Sequence, residues 1–168
     1  MAGASRRGDD YNRALADGTA VRTTIRVGGT IAANSLVLFD FVANYQQAPM
    51  FIEGLQSLQP TSDDTAGEGA SFDAVMKVGP KVFKAIVTIA ALREGRSVTW
   101  ASAGDSGQTV TFMLEPTGEG TRVVMEVSYE RPSGLTGLLA APVVEETVRS
   151  RAHASMRRLR DQVTSVGD

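Results

Sequence analysis

Few side chains in this 168-residue sequence are of a type that could carry a proton, a charge or a metal ion into a site. His153 is the single histidine, the side chain whose ordinary pKa lies nearest neutrality. To act as an acid or base it would have to reach a substrate. It follows Val148 by five residues, so on a helix it falls at the edge of the apolar stripe, which is a surface or rim position. Asp40 stands among Leu38, Phe39, Phe41 and Val42, and Asp73 stands between Phe72 and Ala74. A buried carboxylate in such company has a raised pKa and can serve as a general base. Strand parity turns Asp73 outward, however, and Asp40 takes the wet side of its helix, so both are expected to be solvated. Lys77 and Lys84 share the outward parity. Arg149, Arg151, Arg157, Arg158 and Arg160 make a basic helix face, with Arg151 the best placed to reach inward toward an anionic group. Trp100 and Tyr129 each join an apolar body to a donor that needs a partner when buried. That partner is ordinarily backbone or water, and in a binding site it is a ligand oxygen.

The absences narrow the chemistry. There is no cysteine, which excludes disulfides, thiolate nucleophiles and cysteine metal sites, and one histidine excludes a multi-histidine metal site. No nucleophile–base pair and no phosphate-cradling glycine loop is present, so no metal or cofactor is expected. A net charge of −2 argues against nucleic acid as a main partner, because phosphate binding needs a basic surplus. No apolar run reaches the roughly 18 residues of a membrane span, and residues 1–10 lack a signal-peptide core. A cytoplasmic protein with no integral membrane segment is the resulting expectation.

The elements that would hold these residues follow from periodicity. Residues 1–18 are small and polar and read as a flexible tail, with a helical turn at Tyr11 to Leu15 and a solvated Arg6-Arg7 pair. Residues 19–168 read as one domain, a length able to bury a substantial core. Ala20 to Val27 alternates as a half-buried strand ended by Gly28-Gly29. Asn34 or Ser35 caps a short helix over Leu36 to Ala43 that should be mostly buried, and a second turn forms at Pro49 and closes at Gly54. From Leu55 the period becomes two. Strands are expected at Leu55 to Pro60, Ala70 to Val78, Lys81 to Leu92, Ser97 to Ser102, Gln108 to Glu115 and Thr121 to Glu130, joined by tight turns into an antiparallel meander. Leu135 to Leu139 is an apolar link. The last helix, Ala141 to Val166, carries a stripe of Val144, Val148, Ala152, Ser155, Met156, Leu159 and Val163, with Pro142 in its first turn. A helix this long cannot bury its stripe alone, and the one apolar sheet face needs a cover.

In this order the chain resembles the START-like, birch-pollen-allergen-like helix-grip proteins (SRPBCC), and within them the polyketide cyclase/dehydrase and lipid-transport branch. The carrying residues are Leu38-Phe39-Asp40-Phe41-Val42-Ala43-Asn44, then Pro49-Met50-Phe51-Ile52-Glu53-Gly54. Val98-Thr99-Trp100, Thr111-Phe112-Met113-Leu114-Glu115-Pro116 and Gly120-Thr121-Arg122-Val123 follow, and Gly134-Leu135 through Ala141-Pro142 leads into the helix. The match spans about Ala20 to Val163. Three places depart from the pattern: Ala48 where a tryptophan often stands, Glu53 where a proline often precedes the glycine, and Gly28 to Ser35 in place of a proline-rich entry.

The resemblance implies an α+β helix-grip fold: a curved antiparallel sheet of about six to seven strands wrapped on a long C-terminal helix, with two short helices after strand one. It implies an apolar cavity between the two. By strand parity the sheet would line it with Phe72, Ala74, Met76, Phe83, Ala85, Val87, Trp100, Phe112, Met125 and Tyr129, and the helix with Val148, Ala152 and Met156. Such pockets bind by apolar burial at about 25 cal/mol per Å² and orient their guest with a few polar groups. Three roles fit. One is a carrier for a hydrophobic small molecule: a lipid, fatty acyl chain or polyketide-like compound. A second is a polyketide cyclase, aromatase or dehydratase using Tyr129, Trp100 and Thr23. The third is an interaction module whose interior is filled by its own side chains. A homodimer is compatible with all three.

Overall fold

The first strand shows how the alternation is read by the structure, a computed structural model. It describes residues 22–103, 107–130 and 135–166, with side chains of 142–164 in the last stretch. The expected tail, its Tyr11 to Leu15 turn, the Arg6-Arg7 pair and the link residues 132–134 lie outside the described residues. In β1 (Arg22–Ile31) Thr23, Ile25 and Val27 are buried and Arg22, Thr24 and Arg26 are exposed. Gly28 and Gly29 do not end the strand, as the sequence suggested. They continue it, opposite Val124 and Val123, because a full backbone ladder with the neighbouring strand outweighs glycine's weak strand preference.

Asn34 caps α1 (Ser35–Ala43), its side-chain oxygen accepting from the Leu36 N–H at 2.8 Å. This helix is less buried than expected: Leu38 and Val42 are buried, while Leu36 and Val37 are each 52% exposed. It packs by one side only, and Asp40 lies in water as its position on that helix required. The single turn α2 (Ala48–Phe51) starts with Pro49 in its first positions and buries Ala48 and Phe51.

Six further strands follow: β2 (Leu55–Pro60), β3 (Ser71–Val78), β4 (Lys81–Arg93), β5 (Ser97–Ser102), β6 (Thr109–Thr117) and β7 (Gly120–Glu130). They form one antiparallel sheet in the order β1-β7-β6-β5-β4-β3-β2, so the chain turns back on itself at each step from β2 to β7, and β1 pairs with the last strand. Register shifts at Leu55/Ser57 and at Ile89/Ala91 mark bulges, which bend strands and increase twist.

The final helix α3 (Leu135–Val166) begins six residues earlier than expected and holds Pro142 in its interior. The leucine- and alanine-rich stretch before the proline favours helix strongly enough to continue through one missing backbone bond. The helix packs on β1, α2 and β7. Its stripe divides in two. Ala152, Ser155, Met156, Leu159 and Val163 are buried, whereas Val144 and Val148 are only half-buried. The architecture is the expected helix-grip arrangement, with seven strands.

Candidate ligand-binding site

The concave face of the sheet is set by register. Phe72, Ala74 and Met76 of β3 stand opposite Val87, Ala85 and Phe83 of β4. Trp100 faces Ile89 and Val110, and Phe112 faces Val98 and Met125. Tyr129 stands directly opposite Thr23, a position both of them bury. The expected lining residues therefore share one face, but the structure sorts them by depth. Phe72, Ala74, Phe112, Met125, Tyr129, Ala152 and Met156 are buried. Met76, Ala85, Val87, Trp100 and Val148 are half-buried, and Phe83 is 50% exposed. Val110, opposite Trp100, and Val144, from the helix stripe, belong with the half-buried group.

The buried group is knit by aromatic rings. Tyr45 stacks on Phe72 at 4.9 Å, Phe72 meets Trp100 at 5.7 Å, and Phe51 joins Phe41 at 5.5 Å and Phe112 edge-on at 5.7 Å. The Trp100 Nε1–H donates to the Val42 carbonyl at 3.0 Å. Val42 lies in the last turn of α1, where carbonyls have no partner within the helix, so the indole satisfies a helix end and fixes α1 to β5. Of the two partners open to Trp100, backbone is the one present.

A second set of contacts, not visible in the sequence, ties α3 to the turn after α2. The Glu53 N–H donates to Ser155 Oγ at 2.9 Å. The Arg151 guanidinium donates to the Glu53 carbonyl at 2.6 Å and to the Lys77 carbonyl at 3.4 Å. Arg158 pairs with the Glu53 carboxylate at 3.0 Å. Gly54 follows with φ +85°, and a Cβ there would run into the Arg151 side chain and the Lys77 carbonyl. Burial lowers the Arg151 pKa from its ordinary value, with the nearby Glu53 charge opposing the shift. Arg151 thus reaches inward as expected, but to two protein carbonyls. The glutamate that replaces the usual proline supplies the clasp. The polar Ser155 within an apolar stripe was the available signal; its partner, about a hundred residues away, was not.

Two clefts open to solvent flank this clasp. One, of about 550 Å³, runs along the first half of α3 and is lined by Pro142, Val143, Glu146, Thr147, Ser150 and Arg151. The other, of about 400 Å³, is polar and includes Glu53, Gly54, Lys77 and Arg158. His153 is exposed, as are Asp73 and Lys84. Among the described residues there is no group of three or more His, Cys, Asp or Glu able to hold a metal ion, and no buried side-chain nitrogen or oxygen lacks a partner. No helix among them is long and apolar enough to cross a membrane.

The family described as polyketide cyclase / dehydrase and lipid transport matches residues 18–164. The chain belongs to that family. No curated protein matches it in sequence. Among solved structures it is similar to TTHA0849 from Thermus thermophilus, with a TM-score of 0.74 and 18% identity over 87% of this chain and all of that one. It is similar to Ara h 8.0201, with a TM-score of 0.65 and 17% identity over 86% of this chain and 99% of the other. The Zhui aromatase/cyclase from Streptomyces sp. R1128 superposes with a TM-score of 0.71 and 12% identity over 86% of this chain and 94% of that one. At these identities the likeness is one of fold. Family membership accounts for the helix-grip frame; the chain's own residues set how its concave face is filled.

Proposed function

We propose that this protein binds a hydrophobic small molecule, a lipid, fatty acyl or polyketide-like compound, between the concave face of its sheet and the first half of α3. The observation that carries the reading is the depth gradient on that face: apolar side chains of β3, β4 and α3 that point inward yet stay half-exposed, namely Met76, Phe83, Ala85, Val87 and Val148. An inward apolar surface left wet is surface that a guest can cover, at about 25 cal/mol per Å². Phe72, Ala74, Phe112, Met125, Ala152 and Met156 would form the floor. A cytoplasmic setting belongs to the same reading.

A second reading uses the same space for cyclase, aromatase or dehydratase chemistry. It is favoured by the cross-strand pair Thr23–Tyr129, two buried hydroxyl-bearing residues opposite each other on neighbouring strands, in a fold shared with an aromatase/cyclase. Trp100 drops out of this role, since its donor is engaged by Val42.

Native mass spectrometry of protein purified from its own host, with titration of an environment-sensitive apolar dye, tests the first reading. A co-purifying apolar compound and saturable dye uptake, reported also by Trp100 fluorescence, are expected. Repeated recovery of empty protein that takes up no dye overturns it. Tyr129→Phe with Thr23→Val separates the readings: a carrier keeps its dye affinity and has no activity to lose, whereas an enzyme keeps affinity and loses turnover.

A further inference from the structure

The chain holds only three lysines, Lys77, Lys81 and Lys84, and all three lie in the β3–β4 hairpin; every other basic side chain is arginine or the lone histidine. No acidic residue occurs between Asp73 and Glu94. The whole protein is net negative, so this hairpin is a cationic island. The three ammonium groups are exposed, and none forms an ion pair among the described residues.

The same hairpin carries a concentration of exposed apolar side chains. Val82 is 59% exposed, Phe83 50% and Ile86 50%. Val82 and Ile86 belong to the outer face, and Phe83, opposite Met76, to the inner one. The hairpin also projects beyond its neighbours. Pairing of β3 with β2 stops at Met76, and pairing of β4 with β5 begins at Val87, so Lys77 to Ala85 is a two-stranded finger turned at Gly79-Pro80. Its base is held by the Arg151 bond to the Lys77 carbonyl and by the Lys77 N–H donating to the Gly54 carbonyl at 2.8 Å. Exposed Val143 lies on α3 about 12 Å beyond Arg151, toward the same end of the sheet.

We infer that this lysine-flanked, apolar finger docks on an anionic lipid bilayer, inserting Val82, Phe83 and Ile86 at the headgroup boundary while Lys77, Lys81 and Lys84 meet the lipid phosphates. Charge complementarity selects a negative partner. The two-sided apolar exposure selects a bilayer over an acidic protein, because a protein surface covers one face of a hairpin and a bilayer surrounds its tip. Lysine suits this placement: its stem lies along apolar surface while its head stays at the interface. The inference does not rest on the ligand proposal, since vesicle binding is read with no guest added.

The test is co-sedimentation of the full chain with phosphatidylcholine vesicles, with or without roughly 30% phosphatidylserine. Binding is expected only to the anionic vesicles, and it should collapse near about 0.5 M salt as screening shortens the range of the charges. Replacing all three lysines, K77Q with K81Q and K84Q, should weaken binding about 100-fold, close to fivefold for each charge. Phe83→Gln with Val82→Gln should weaken it about tenfold at unchanged charge. Circular dichroism confirms that each variant is folded. Because the chain has no cysteine, Val82→Cys accepts a single environment-sensitive dye whose emission should shift blue on anionic vesicles. The same dye at Glu119→Cys, in the turn between β6 and β7 at the opposite end of the sheet, should not shift. Wild-type protein left in the supernatant at low salt overturns the inference. So does lysine-dependent retention on immobilised polyglutamate without vesicle binding, which would identify an acidic protein as the partner.

Discussion

The two ends of the concave face are built from the same strands and the same alternation, yet one is a solid core and the other an apolar surface left wet. Under α1 and α2, Phe51, Phe72 and Phe112 are fully buried; Phe51 meets Phe112 edge-on, Phe72 sits between Tyr45 and Trp100, and Trp100 closes the gap to Val42. At the other end, Met76, Phe83 and Ala85 point to the same side of the sheet and meet solvent. Strand alternation decides which way a side chain points; whether it is buried depends on what lies above it. Here the two short helices and the second half of α3 supply cover, whereas Val144 and Val148, earlier on α3, are themselves only half-buried. One face is thus packed at one end and open to solvent at the other.

Four substitutions would break or sharpen that contrast. The largest effect is expected for Phe72→Ala, which removes a fully buried ring between Tyr45 and Trp100 and should cost about 3–5 kcal/mol in urea unfolding. Gly54→Ala should cost about 2 kcal/mol by the same measurement, from a left-handed backbone and a Cβ that meets the Lys77 carbonyl. Trp100→Phe keeps most of the ring packing but leaves the Val42 carbonyl without its donor, and a loss of about 1 kcal/mol is expected. The smallest change, under about 0.5 kcal/mol, belongs to Phe83→Ser at the wet end, where the variant should lose dye affinity while keeping its unfolding midpoint. A Phe83→Ser cost comparable to that of Phe72→Ala would mean that the two ends are not different in kind.

Much of this was legible in the sequence. Strands announce themselves by alternation, and Leu55–Pro60 and Ser97–Ser102 were read to the residue. The family's motifs then fixed the order of elements. Depth was not legible, because alternation places Phe83 and Phe72 alike and only the helix lying over one of them distinguishes the two. Gly28-Gly29 misled because a glycine pair is locally a turn signal, whereas the ladder to Val123 and Val124 is nonlocal. Pro142 misled in the same way, a local helix-start signal overruled by the helix formers before it. The clasp at Glu53 was invisible because Ser155 and Arg151 lie 102 and 98 residues further along the chain.

That separation bears on how the protein is made. During synthesis the turn after α2 leaves the ribosome long before the helix that grips it, and β1 likewise waits for β7. Until then the nascent sheet has no partner for its greasy side, and apolar surface exposed in this way favours clumping. Native assembly is therefore a late event, completed when Ser155, Arg151 and Arg158 arrive together on Glu53.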